Sequence, residues 1–197
     1  MVIRHIIAGA VVALLTCISA GSLAGDKDLV VRLDTSAGII DIKLFPEKAP
    51  KTVENFLAYV DSGFYDGTIF HRVIDNFMVQ GGGFTTDRVE KETREPIQNE
   101  SINKLHNIRG TIAMARTNDP DSATAQFFIN QRSNLRLDWS AGQPGYTVFG
   151  EVIRGMGVVD FVATAETGTK QFQTSAGIRP FQDVPLDAVI LKTAKRR

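Results

Sequence analysis

The residues with the most chemical potential lie in one stretch, Phe70-His71-Arg72-Val73-Ile74-Asp75-Asn76-Phe77-Met78-Val79-Gln80-Gly81-Gly82-Gly83. Read with the two-residue period of a strand, Arg72 lies on one strand, Asp75 and Asn76 turn the chain, and Met78 and Gln80 share one face of the next strand with Phe77 and Val79 on the other. A guanidinium, a primary amide and large apolar groups thus converge on one patch. That mixture suits a pocket that grips an apolar group while a few donors fix its orientation. A second run, Ile112-Ala113-Met114-Ala115-Arg116-Thr117, leads into Ser122-Ala123-Thr124-Ala125-Gln126-Phe127-Phe128-Ile129-Asn130. Gln126 and Phe128 are two apart and share a face. Taken singly, Arg72 reads as a surface strand residue and the apolar residues as barrel core. Gly81 to Gly83 lack the Lys-Ser/Thr ending of a phosphate loop and read as a backbone turn. His5, His71 and His106 have no ligand spacing and no cysteine partners, so neither metal nor cofactor is expected.

The elements that must hold these residues are mostly short strands. Val31 and Leu33 alternate with Arg32 and Asp34, and Ile40, Ile42 and Leu44 alternate with Asp41 and Lys43, which predicts a hairpin across Ser36-Ala37-Gly38. Pro50 opens a helix whose stripe is Val53, Phe56, Leu57 and Val60, and Gly63 closes it. Strands are expected over 68–74, 77–80, 110–115, 126–130, 146–153 and 186–193, with a second helix over 155–165 that presents Met156, Val159 and Val162. The strands are too closely spaced for crossover helices, so the sheet is antiparallel, and closure into a barrel removes its edges. The polar segments 85–107 and 167–183 read as long loops.

The N-terminus differs from the rest. Arg4 and His5 precede the apolar stretch 6–15, and small residues follow, the layout of a secretory leader cleaved after Ala24. The expected division is therefore a signal peptide, 1–24, and one domain, 25–197, destined for the periplasm. The apolar run is shorter than the about 20 residues a spanning helix needs, so no membrane attachment is expected once the leader is gone. Cys17 is the only cysteine and lies in the leader, which leaves the domain without disulfides. Within the 197 residues, 22 basic side chains balance 22 acidic ones, which offers nucleic acid no overall attraction. The terminal Lys195, Arg196 and Arg197 read as a solvated tail.

Together the two clusters resemble the cyclophilin family of peptidyl-prolyl cis-trans isomerases. The likeness extends over the N-terminal hairpin, Ala49-Pro50 through Asn55-Phe56, Gly63-Phe64-Tyr65, Val148-Phe149-Gly150-Glu151-Val152 and the last strand. The resemblance implies a mainly β fold, a closed eight-stranded antiparallel barrel capped by two α-helices, with a proline-binding site on its outer surface. It implies that Arg72 is the catalytic arginine, acting with Phe77 and Gln80. Phe77, Met78, Phe128 and Leu137 would receive the proline ring. Gln80 and Gln126, with the backbone around Ala115, Arg116 and Thr117, would hold the substrate main chain. His71 would orient Arg72 through a hydrogen bond, and Tyr146 would be a wall of the pocket or a strand cap. Members that bind cyclosporin tightly carry a Trp where Arg136 precedes Leu137-Asp138, so at most weak binding of that drug is expected. Tyr146 in place of a His, and Arg116-Thr117 in place of Asn-Ala, resemble the exported bacterial branch.

Such a site has a clear physical task. Conjugation of nitrogen with the carbonyl sets a barrier of about 18–20 kcal/mol to peptide rotation. The two isomers of an Xaa-Pro bond differ by only about 0.5–1 kcal/mol yet exchange over tens to hundreds of seconds. A fixed donor aimed at the nitrogen of a twisted amide, inside an apolar pocket, favours the twisted state. A guanidinium suits this because it stays charged at any ordinary pH and carries its donors on a rigid plane. The expected partners are proline-containing polypeptides, met by a monomer that assists the folding of exported proteins. The alternatives are a proline-segment-binding chaperone module that needs no turnover, and a barrel carrying a small apolar ligand inside.

Overall fold

The computed structural model describes residues 29–197, so the expected leader and Cys17 lie outside the described residues. In chain order the elements are β1 (Val30–Thr35), β2 (Gly38–Leu44), α1 (Pro50–Asp61), β3 (Thr68–Ile74), β4 (Met78–Thr85), β5 (Thr111–Met114), β6 (Phe127–Asn130), β7 (Val148–Arg154), α2 (Met156–Ala163), β8 (Thr167–Thr174), β9 (Gly177–Pro185) and β10 (Ile190–Arg196). Eight strands close into an antiparallel barrel in the order β1-β10-β3-β4-β6-β5-β7-β2, and β8 and β9 form a separate two-stranded hairpin.

The alternation in β1 and β2 does what a half-buried hairpin requires. Val31, Leu33, Ile40 and Ile42 point inward and are buried, while Arg32 reaches Asp41 across the pair with both guanidinium bonds, Nε to Oδ1 at 2.7 Å and Nη2 to Oδ2 at 2.9 Å. The predicted stripe of α1 is buried in full. Its first turn has Pro50 at the opening position, and the distant Glu100 carboxylate accepts from the Thr52 N–H and hydroxyl at 2.9 and 2.7 Å. This cap satisfies N–H groups that no helical carbonyl can reach, and it ties the segment after β4 to the helix. Phe56 lies against Tyr65, Phe127 and Phe149 with ring centroids 5.1–5.8 Å apart. Val79, Ile112, Met114 and Ile129 complete the same core, so the barrel is filled by side chains, against the ligand-carrying alternative.

Four readings are corrected. The segment 167–183 is not a loop: it is mostly the hairpin β8–β9, whose polar sequence follows from a β8 in which every position except Phe172 is exposed or half-buried. Gly81 to Gly83 are not a turn but lie within β4, where the pairing with β3 is irregular. A Cβ on Gly82 would come within 2.9 Å of both Phe127 and Tyr65, and one on Gly83 within 2.6 Å of Gln126 Cγ, so bare backbone is needed for close approach. The C-terminal basic residues are not a free tail. Lys195 and Arg196 pair with β1, Arg196 meets the Asp61 carboxylate, and Arg197 reaches Asp41 at 3.2 Å. Finally, Phe77 precedes β4 and escapes its alternation: Asn76 adopts the left-handed conformation (φ 55°), which turns Phe77 to the same side as Met78 rather than Val79.

Candidate active site

Strands β4, β6, β5 and β7 are neighbours, and their outward residues Met78, Phe128, Ala113 and Val148 form a second apolar cluster outside the barrel. Phe77, Leu137, Ala115 and Tyr146 rim it, each partly exposed. The result is a hollow of about 130 Å³ lined by Arg72, Phe77, Met78, Gln80, Ala115, Arg116, Phe128, Leu137 and Tyr146. Strands carry Arg72, Met78, Gln80 and Phe128, the residues flanking strand ends carry Phe77, Ala115, Arg116 and Tyr146, and the single helical turn Leu135–Leu137 supplies Leu137. A larger concavity, about 680 Å³, lies beside α1, but Lys51, Glu54, Arg94 and Glu95 give it a charged lining with little to hold an apolar ring.

The polar wall is built by pairing. Arg72 faces Gln80 across β3 and β4, and Gln80 faces Phe128 across β4 and β6. Gln80 Nε2 donates to Gln126 Oε1 at 3.1 Å, which links the two amides into one strip beside the arginine. The Gln126 side chain lies against Gly83, where any side chain would displace it. The Arg72 side chain is 43% exposed, and its Nε lies 3.7 Å from Oδ2 of Asp183, a residue of β9 within the segment expected to be a loop.

The rim is held by cations and by a buried polar network. The Arg116 guanidinium stacks on Tyr146 at 4.5 Å and donates to the Pro144 carbonyl at 2.7 Å, while Arg136 lies over the Phe77 ring at 4.8 Å. Asn134 Nδ2 donates to the Phe77 carbonyl at 2.9 Å and to Asn130 Oδ1 at 2.8 Å. Asp138 accepts from the Asn107 N–H at 2.7 Å. Burial alone would raise the Asp138 carboxyl, but bonds from the Asn107 backbone, His106 and the Asn107 side chain outweigh it and hold it below the usual carboxylate range. Asn107, Asn130 and Asn134 escaped notice in the sequence because isolated amides carry no periodic signal.

Not every expected residue reaches the hollow. Thr117 is exposed beyond the rim, where its N–H and hydroxyl both meet Ser122 Oγ. The Ala115 N–H donates to the Gln126 carbonyl, so a substrate main chain finds neither N–H free. His71 is 2% exposed and packs on Phe84 at 4.7 Å, away from the hollow, with Nδ1 unpartnered among the described residues. Burial lowers its pKa to about 4, more than the nearby Ile69 carbonyl and Gln126 amide restore. The expected bond from His71 to Arg72 gives way to packing: the pairing of β3 with β4 slips between Phe70 and Arg72, and His71 turns to the aromatic cluster beneath the hairpin β8–β9. No group of three or more His, Cys, Asp or Glu able to hold a metal occurs among the described residues, and no described helix is long and apolar enough to cross a membrane.

The sequence profile of the family described as cyclophilin type peptidyl-prolyl cis-trans isomerase/CLD matches residues 30–191. Peptidyl-prolyl cis-trans isomerase cyp18 of Streptomyces antibioticus is 55% identical over 168 residues, 84% of this chain and 96% of that one. Peptidyl-prolyl cis-trans isomerase A of Dickeya dadantii is 45% identical over 192 residues, 98% of this chain and 97% of that one. A Cryptosporidium parvum cyclophilin type isomerase, crystallised in the presence of the dipeptide Ala-Pro, has a TM-score of 0.68 at 26% identity and covers 85% of this chain and 98% of its own.

Proposed function

The chain belongs to the cyclophilin-type peptidyl-prolyl cis-trans isomerase family and is an enzyme of that class, and from this premise we propose that the outer hollow is its active site. The single observation that carries the reading is the meeting of the Arg72 guanidinium and the Gln80 amide, itself bonded to Gln126 behind it, with an apolar recess of about 130 Å³. A proline ring sits in the recess formed by Phe77, Met78, Phe128 and Leu137. Gln80 and Gln126 hold the flanking main chain, and Tyr146 with Arg116 closes the far wall. With the ring held, the acyl side of the bond is free to turn, which is catalysis by positioning. Arg72 donates toward the amide nitrogen, whose lone pair is available only in the twisted state, so the bond it makes lowers the barrier rather than the ground state. No proton is transferred and no covalent intermediate forms.

The substrates are proline-containing polypeptides. The charged segment before the apolar stretch 6–15, and the small residues Ser22 and Ala24, support export to the periplasm with cleavage after Ala24 and a role in folding exported proteins. Arg136 over Phe77, where tight cyclosporin binders carry an indole, supports weak drug binding at most. The test is isomerisation of a short Xaa-Pro peptide: Arg72→Ala lowers kcat/KM roughly 10²-fold, as loss of one preorganised donor does, with the unfolding midpoint preserved. An unchanged rate in the folded variant refutes the assignment.

A further inference from the structure

We propose that Asp183 is a positioning residue for Arg72 and that the hairpin β8–β9 exists at this site to deliver it; the inference rests on the reading of Arg72 as the donor to the twisted amide. Asp183 adopts a left-handed backbone (φ 59°), one of four non-glycine residues to do so among those described. It sits where the pairing of β8 with β9 slips: Gly168 faces Val184 and Lys170 faces Phe181, so Gln182 and Asp183 together oppose Thr169 alone. A bulge of this kind re-aims a side chain that a regular strand would point elsewhere. Here it brings the carboxylate to 3.7 Å from Arg72 Nε.

The residues on either side of the bulge anchor it to the barrel. Val184 is buried with Phe172, Phe84 and Ile69, and Phe181 stacks on Phe172 at 4.6 Å and approaches His71 at 6.2 Å. His71 precedes Arg72, so the apolar contact that docks the hairpin is made on the strand that carries the arginine. A guanidinium on a flexible stem, 43% exposed, samples many rotamers, and most of them do not address the hollow. The approach of the carboxylate is through Nε, which leaves the terminal nitrogens for the substrate and narrows the arc through which they swing. The contact is half-exposed and contributes modestly to stability, so its consequence lies in the orientation of the arginine.

Asp183→Asn isolates the charge, because asparagine tolerates the left-handed backbone as well as aspartate does. In the whole folded protein this variant lowers kcat for a short Xaa-Pro peptide about threefold to fivefold, about 0.6–1 kcal/mol of barrier at 1.36 kcal/mol per tenfold, with KM changed less than twofold and the unfolding midpoint unmoved. In the Arg72→Ala background the same substitution has no further effect on kcat. An unchanged or raised kcat in Asp183→Asn, a loss confined to KM, or an equal loss in both backgrounds overturns the inference while the role of Arg72 stands. Full activity in Arg72→Ala alone overturns the reading beneath it, and the inference falls with that.

Discussion

Phe127 and Phe128 are adjacent on β6, equally bulky and both almost fully buried, yet they belong to different parts of the molecule. Phe127 meets Phe56, Tyr65 and Phe70 inside the barrel, whereas Phe128 meets Tyr146 in the outer cluster that floors the hollow. The same division runs through Val79 and Met78 on β4, Ile112 and Ala113 on β5, and Phe149 and Val148 on β7. Four strands thus use one set of alternating residues to hold the barrel together and the other set to make a binding surface. The lesson is that burial alone does not separate structural from functional apolar residues. What separates them is whether the cluster is sealed or is left with an open rim.

Truncating each ring in turn separates the two roles. Phe127→Ala should destabilise the fold by about 3–5 kcal/mol, because it empties the centre of a packed core, while the molecules that remain folded keep their kcat. Urea unfolding and activity per folded molecule check this. An unchanged midpoint would place Phe127 outside the core.

A second test uses the neighbours His71 and Arg72, one buried beneath the hairpin β8–β9 and one turned to the hollow. The pKa of His71 is lowered to about 4 in the folded state, against about 6.5 when unfolded, so between these values the unfolded chain binds more protons. Stability is therefore full above pH 6.5 and declines by roughly 3 kcal/mol as pH falls to 4. His71→Phe, which fits among Phe84, Phe172 and Phe181, should remove that part of the acid sensitivity. If the variant shows the same acid profile in chemical denaturation, His71 is not the responsible group.

On the outer face, Phe128→Ala should raise KM by tenfold to a hundredfold, about 1.5–3 kcal/mol for one buried ring, with a smaller loss of stability than at Phe127. Equal losses of stability at the two positions would erase the distinction drawn between them. The smallest effect is expected from Gly83→Ala. Its methyl would lie 2.6 Å from Gln126 Cγ and force that side chain off its rotamer, at a cost of roughly 0.5–1.5 kcal/mol, or about twofold to tenfold in kcat/KM. An activity equal to wild type would show that the Gln126 amide does not need its present seat.

By itself the sequence determined the fold class, because a period of two in β1 and β2 and a stripe at helical spacing in α1 are local consequences of which residues leave water. Most groups that line the recess were also legible, because they lie in two short motifs, whereas Leu137 and Tyr146 lie outside both and were expected only from the family resemblance. Which way each side chain faces was set by contacts between distant segments. The left-handed Asn76 turned Phe77 against the alternation, and an irregular pairing at Phe70–Arg72 left His71 beneath the hairpin β8–β9 while Arg72 faced the hollow. The hairpin β8–β9 was illegible for a different reason. Its buried apolar contact with the barrel is confined to Phe172, Phe181 and Val184, and backbone bonds to the segment after β4 do the rest, so its exposed positions carry polar residues like those of a loop. That Asp183 meets Arg72, 111 residues earlier in the chain, depends on a bulge and a docked hairpin, and no local pattern encodes a contact made at such a separation.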